Sequence, residues 1–431
     1  MDKSANVIGA GLAGCEAAWQ LANRGVKVTL FDMKPEKKSP AHNTDSFAEL
    51  VCSNSLRADR LENASGLLKG EMRYLNSLII QAADKTKVPA GGALAVDRNE
   101  FSEFITQSLK NHENVEFVSK EVIEIDSTKN TIIATGPLTS EALAKNISSL
   151  MGESLYFYDA AAPIISAESL NMDRVFVGSR YNRGDDYLNC PMNEQEYFAF
   201  YEALINAQTV ELKEFENLVV FEGCMPVESM AKRGSMSLCF GPLKPVGLID
   251  PKTQKEAFAV VQLRKENQQG SMYNLVGFQT NLKFGEQKRI FSMIPGLENA
   301  EFLRYGVMHR NTYINSPKKL DVNYNFLENP NLYFAGQITG VEGYIESASS
   351  GLVSGLALAK KLNGESFEGF KTFTALGALS NYVANYSGKS FQPMNINFGV
   401  IQGIEGKYKK KTDRYLAIAK RSLDYIQNIQ I

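Results

Sequence analysis

Two kinds of residue in this chain can do chemistry: isolated thiols and a cluster of glycines. Cysteines stand at positions 15, 52, 190, 224 and 239, none in CxxC spacing, and the histidines are His42, His112 and His309. That set offers no tetrahedral ligand group, so no metal site is expected. A thiol serves as nucleophile or base only once it has lost its proton, so the question is which thiol has help. Cys52 precedes Ser53 and Asn54, both good N-cap residues. Cys224 stands two residues before Pro226, which suits a first helical turn, with Gly234 as a stop. Both thiols are therefore expected near helix N-termini. A helix dipole favours the thiolate by only about 0.3–1 kcal/mol. A free thiol near pKa ~8.5 is mostly protonated at neutral pH, so a further cation or a bound cofactor must supply the rest. Cys15, beside Gly14, and Cys239, in "SLCFG", read as packing residues; Cys190 is expected in a polar loop.

The glycines sit in "ANVIGAGLAGCEAAWQLANRGVKVTLFD", which reads as strand, turn, helix, strand. Gly9 permits the tight turn, Gly11 lets backbone approach a pyrophosphate, and Gly14 lets helix and strand pack closely. Ala10, Leu12 and Ala13 complete the turn, whose helix N-terminus offers free N–H groups to phosphate. The second strand ends in Asp32, whose carboxylate can accept from ribose hydroxyls and disfavours a 2′-phosphate. This is a dinucleotide site.

The elements around that site extend to both ends of the chain. "NTIIATGPLTS" is an apolar strand ending at Gly136. "NLYFAGQITGVEGYIESASSGLVSGLALAKKL" is a strand, a turn holding Gly336, Gly340 and Gly343, and a helix of small residues. These segments resemble those that close over flavin in the glutathione-reductase-like class, which implies FAD, with Tyr344 against the isoalloxazine. The expected fold is α/β, a Rossmann-like FAD-binding domain with an inserted α+β domain. Its parts are residues 1–180 and 305–431, with the insertion at 181–304. The insertion carries a helix with aromatics at 197, 198, 200 and 201, read as core. Strand-like runs follow: "NLVVFEGC", "SLCFGPLKPVGL", "AFAVVQL" and "MYNLVGFQ".

Composition bounds the rest. At 431 residues, 44% hydrophobic and 22% charged, the chain has ample core for two domains. A net charge of −2 gives no global bias toward nucleic acid. No apolar run approaches the ~18 residues of a membrane span. An odd cysteine count and no secretory signal point to a reducing cytoplasm.

A set of longer motifs carries a closer resemblance: "AHNTDSFAELVCSNSLR", "GGALAVDRNEFSEFIT", "FEGCMPVESMAKRG", "FGPLKPVGL", "YGVMHRNTYINSP", "GQITGVEGYIESA" and "FQPMNINFG". From Val7 to about Gly399 the chain resembles the folate- and FAD-dependent (uracil-5-)-methyltransferases of bacterial RNA. The resemblance implies transfer of one carbon from 5,10-methylenetetrahydrofolate to C5 of a uridine, with reduced FAD giving the hydride and NADH or NADPH reducing the flavin. It assigns Cys224 as the nucleophile on uracil C6. Cys52 becomes the base for the C5 proton or a guard of the flavin, and His309 holds the folate pterin.

RNA needs cations. Between Gly403 and Tyr425 there are seven Lys/Arg against three Asp/Glu, with Lys409, Lys410 and Lys411 in a row; Lys244, Lys318 and Lys319 are further candidates. Met236 and Cys239 replace an expected acid and arginine, and the tail after Gly399 departs from the family pattern. The T-loop uridine of tRNA is the favoured target and 23S ribosomal RNA the alternative. Outside that chemistry stand a flavin oxidoreductase of small molecules and a silent RNA-binding or flavin-sensing protein. The longer relative that modifies the wobble uridine with a GTPase partner needs an extended helical tail. No obligate protein partner is expected.

Overall fold

The computed structural model describes residues 3–39, 41–151, 154–160, 162–210, 225–306, 308–388 and 391–429, with 154–160 and 308–312 described by backbone alone. Five parallel strands form one sheet in the order Leu332–Phe334, Thr131–Ile133, Ser4–Ile8, Lys27–Asp32, Val115–Ser119. A parallel sheet is covered on both faces, so its strands are apolar without alternation. Val7, Ile8, Val28, Leu30, Ile132, Ile133, Leu332 and Phe334 are accordingly buried. Ser4–Ile8 is central: Lys27–Asp32 and Val115–Ser119 extend to one side of it, and the later strands Thr131–Ile133 and Leu332–Phe334 to the other. The order thus reverses beside it and opens a crevice at its carboxyl end, where Gly9 begins the turn.

The helices Leu12–Ala22 and Tyr344–Leu362 pack over this sheet at backbone contact. A Cβ on Gly351 would stand 2.1 Å from the Ala13 carbonyl oxygen. The small residues of "SASSGLVSGLALA" exist for that approach: a larger side chain would push the two helices apart and widen the crevice.

A second, antiparallel sheet runs in the order Phe176–Val177, Tyr187–Met192, Ala259–Lys265, Met272–Leu275, Ile164–Ser166, Phe302–Arg304. Tyr197, Phe200 and Tyr201 of the helix Glu194–Ile205 are buried in its core with Phe278 and Phe291, and Phe198 is partly buried against it. Two of its strands, Ile164–Ser166 and Phe176–Val177, precede residue 181, where the sequence reading begins the insertion. Phe176–Val177 pairs locally with Leu188 and Asn189, but the partner of Ile164–Ser166, Met272–Asn274, is a hundred residues away, and pairing at that distance leaves no local signature. The antiparallel pair Ser154–Ala160 and Met308–Ile314 sets Asp159 opposite His309.

"SLCFGPLKPVGL", expected as a strand, is instead a helical turn, Ser237–Phe240, and a loop. Pro242 and Pro245 lack the N–H a strand ladder needs. Cys190 is buried in the strand Tyr187–Met192 rather than lying in a loop. "NLVVFEGC" lies outside the described residues. Among the described residues no helix is long and apolar enough to cross a membrane, and no His/Cys/Asp/Glu group could hold a metal.

Candidate active site

The crevice is walled by the glycine turn, the end of the second strand and the turn before the long helix. Gly9, Ala10, Gly11, Leu12, Ala13, Asp32, Gly136, Gly336 and Tyr344 all line it. Gly14 and Gly340 do not, and each serves packing behind the wall. A Cβ on Gly14 would fall 1.8 Å from the Gly9 carbonyl oxygen, and one on Gly340 would fall 2.4 Å from the Phe391 ring. Asp32 fixes the turn from beneath: Oδ2 accepts from the Ala10 N–H (2.7 Å) and Oδ1 from the Lys34 N–H (2.9 Å). Gly11 caps the helix Leu12–Ala22 without a side-chain hydrogen bond, and a Cβ there would meet nothing within 4 Å. Free helix N–H groups facing open space are what a pyrophosphate requires, so the residues fit a dinucleotide cofactor. Sequence reasoning missed Lys34, His42, Glu49, Val122, Thr139 and Gln337 on the same wall. They come from loops whose course the sequence pattern does not fix.

Cys52 stands at the edge of this crevice, and not at a helix N-terminus. Ser53 and Asn54 lead into a strand, Ser55–Ala58, paired antiparallel with Ala93–Val96. What replaces the helix dipole is a phenol and three guanidinium groups. The Tyr344 hydroxyl accepts from the N–H of Cys52 (2.8 Å) and of Ser53 (3.3 Å) and lies 2.9 Å from Cys52 Sγ. Tyr344 opens the helix Tyr344–Leu362. Burial, then the charge of Cys52, pushes its pKa well above the ordinary phenol value, so it keeps its proton and can donate it to a thiolate.

The arginines come from separate elements. Arg98 heads the helix Arg98–Lys110 and donates to the Leu50 carbonyl and the Glu266 carboxylate. Arg264, on Ala259–Lys265, donates to Asn54 Oδ1 (2.9 Å) and Ser53 Oγ (2.7 Å), clamping the residues after the thiol. Arg304 ends Phe302–Arg304. The charges of all three bear on Cys52. Burial depresses Arg264 and Arg304. Burial is the largest single influence on Arg98 and opposes its charge, but Glu266, Tyr344 and Cys52 together outweigh it and hold its pKa above the ordinary value.

Cys224 itself lies outside the described residues. The helix after it, Val227–Ala231, begins behind Pro226 as the sequence suggests. Buried Glu228 pins that helix, accepting from the Asn281 N–H (2.7 Å) and Thr280 Oγ1 (2.8 Å). His309 is on Met308–Ile314, its side chain outside the description. Lys409 and Lys410 are exposed ahead of the helix Lys411–Asn428, and exposed Lys411 holds Nζ 5.4 Å from the Tyr415 ring centroid. Lys244 is exposed in the loop after Ser237–Phe240. Cys15 and Cys239 are buried, as packing residues should be.

Residues 4–366 match the family described as glucose inhibited division protein A. The chain is 59% identical to the methylenetetrahydrofolate–tRNA-(uracil-5-)-methyltransferase TrmFO of Acetivibrio thermocellus, over 98% of this chain and 97% of that one. It is 59% identical to the protein of the same name from Listeria monocytogenes serovar 1/2a, over 100% of this chain and 99% of that one. Among solved structures it superposes on Aquifex aeolicus GidA with a TM-score of 0.72 at 16% identity, covering 100% of this chain and 74% of that one, a likeness of fold. With identity this high along the whole length, the chain belongs to the glucose inhibited division protein A family and, within it, to the TrmFO group.

Proposed function

We propose that the chain methylates C5 of a uridine in tRNA, taking the carbon from 5,10-methylenetetrahydrofolate, with FAD held in the crevice. The relatives that share 59% of its residues bear that activity in their names. The observation that carries the reading is the double role of Tyr344, which walls the dinucleotide crevice and holds the Cys52 thiol with its hydroxyl. Bound FAD supplies the hydride that completes the methyl group, replenished from NADH or NADPH.

The protein's own residues must make an unreactive carbon nucleophilic. The Cys224 thiolate adds to uracil C6, and the C5–C6 π electrons move into the C4 carbonyl as an enolate, so that C5 can take the one-carbon unit. C5 must then lose its proton. Cys52, supported by Tyr344 and the three arginines, is the base for it. The electron pair left at C5 expels the folate nitrogen that carried the carbon; once hydride has reached that carbon, the pair returned to C5 expels Cys224 as thiolate and restores the C5–C6 double bond. His309 holds the folate pterin by stacking, and Lys409, Lys410, Lys411 and Lys244 hold phosphates. The two thiols then divide between the cofactor-binding part and the insertion. The reaction runs in the cytoplasm with no obligate protein partner.

The test is incubation with methylenetetrahydrofolate, NADPH and tRNA lacking 5-methyluridine, followed by nucleoside mass spectrometry. Wild-type protein should form 5-methyluridine at one position. Cys224→Ser should form none while retaining the flavin absorbance. Product at the wild-type rate from Cys224→Ser removes the nucleophile assignment, and no product from wild type removes the reading.

A further inference from the structure

Two aromatic side chains stand out in solvent at the two ends of one braced loop, residues 241–247. Phe240, at the end of Ser237–Phe240, is 82% exposed, and Tyr181 is 60% exposed. Tyr181 and Asn182 both take left-handed backbone, with φ of 59° and 54°. For residues other than glycine that conformation costs on the order of 1 kcal/mol each and persists only where neighbours enforce it.

The enforcement is visible. The Tyr181 N–H donates to the Gly247 carbonyl (2.7 Å), and Arg180 Nη1 donates to the Val246 carbonyl (2.8 Å). The Tyr181 ring lies against Gly247, where a Cβ would come within 2.9 Å of it. The Arg183 guanidinium sits 5.7 Å from the ring centroid. The bracing loop is the one that starts after Phe240 and carries exposed Lys244. It is fastened in turn to the helix following Cys224: a Cβ on Gly241 would fall 2.9 Å from Sδ of Met230. Of the two acids that follow, Asp186 is tied to the Gly91 N–H (2.5 Å).

We propose that Phe240 and Tyr181 are a stacking platform for unpaired bases of the substrate RNA, with Arg183 and Lys244 on the adjoining phosphates. Structured RNA is read mainly through loop bases that can be splayed onto aromatic rings, and stacking tolerates any base. An exposed ring with a guanidinium 5.7 Å from its centroid, and a second exposed ring four residues before an exposed lysine, suit that ligand. The proposal rests on the tRNA reading and adds the surface that receives the loop.

The experiment is fluorescence anisotropy with a labelled T-arm stem-loop RNA, on full-length flavin-loaded protein. Phe240→Ala and Tyr181→Ala should each raise Kd by ~10-fold. Arg183→Gln and Lys244→Gln should each reduce the salt slope by ~0.7. Flavin absorbance, the measure of intact fold, should not change. Wild-type binding with both aromatic variants within twofold of it overturns this surface alone, whereas wild-type protein that ignores the RNA overturns the tRNA reading as well. A dimer in sedimentation that Phe240→Ala dissociates, with RNA affinity unaltered, overturns the proposal in favour of a contact between two copies.

Discussion

The hydroxyl of Tyr344 lies 2.9 Å from Sγ of Cys52 and also accepts the Cys52 backbone N–H at 2.8 Å. With its lone pairs engaged by amides, the phenol's own proton is directed to sulfur. Tyr344→Phe should therefore destabilise the Cys52 thiolate by ~1.5–3 kcal/mol, the worth of a hydrogen bond to a charged group. The readout is peptide-mapped alkylation by iodoacetamide: at neutral pH the Cys52 rate should drop roughly tenfold or more. An unchanged rate means that the thiol is the donor and the phenol gives the anion nothing.

Arg98 separates electrostatics from stability. It is paired with Glu266, whose side chain is 1% exposed, so Arg98→Met leaves a buried carboxylate alone and should lower stability by ~3–5 kcal/mol. Removing the cation should also shift the pH profile of Cys52 alkylation upward, since a positive neighbour favours the thiolate. Adding Glu266→Gln should recover most of the melting temperature without restoring the profile. Recovery of both by the double variant would falsify a direct role of Arg98 at the thiol.

The basic segment at the C-terminal helix makes a different prediction. Lys409, Lys410 and Lys411 are exposed. Reversing all three to Glu should weaken RNA binding and flatten the plot of log K against log salt by ~0.7–0.9 for each phosphate no longer neutralised. An unaltered slope in filter-binding titrations takes this segment out of the RNA site and leaves the phosphates to Lys244 and its neighbours.

Local chemistry decided what the sequence could reveal. The glycine turn was readable because three spacings, a strand before it and Asp32 after it all act within one stretch of chain. The flavin-side turn at Gly336 was readable for the same reason. The surroundings of Cys52 were not. Ser53 and Asn54 look like helix caps, yet they feed a strand and bind Arg264 instead, 210 residues away from Asn54. Two of the three cations beside the thiol, Arg264 and Arg304, arrive through the second sheet, whose strand Ile164–Ser166 pairs with residues near 272 and 302. Pairings of that length leave no periodicity to read.

Gly14 offers a direct test of the cofactor crevice. A Cβ at that position would overlap the Gly9 carbonyl oxygen at 1.8 Å and approach its carbon at 3.0 Å. The backbone of the turn cannot yield without moving the amides that would face a pyrophosphate. Gly14→Ala should purify with little or no flavin, seen as loss of the visible absorbance bands, and should melt earlier than wild type. Gly11→Ala meets no protein atom within 4 Å. It should fold normally and lose flavin only because its methyl takes cofactor space. Equal flavin content in both variants and wild type would place the cofactor elsewhere.

Glu71 gives the fold a pH dependence of unusual sign. Its fully buried carboxylate, on the helix Ala64–Tyr74, accepts from the Ala375 N–H (2.6 Å), the Leu376 N–H (2.8 Å) and Ser422 Oγ (2.5 Å). It thereby joins the start of the helix Ala375–Asn385 to the C-terminal helix. Burial pushes its pKa up to about 7, against the pull of those three donors. The unfolded chain titrates near ~4.3, so between these values the folded protein binds more proton than the unfolded one. Stability from this group is therefore full below about pH 4 and is lost as pH rises through about 7, by an amount on the order of 3 kcal/mol. A carboxylate in a salt bridge behaves in the opposite way. Glu71→Gln removes the titration while keeping one acceptor for the helix amides. Measured against wild type, its melting temperature should improve on going from pH 5 to pH 8 by ~2 °C or more. A gap between the two proteins that stays constant across that interval means that Glu71 is ionised in the folded state throughout, held so by the N–H groups of Ala375 and Leu376.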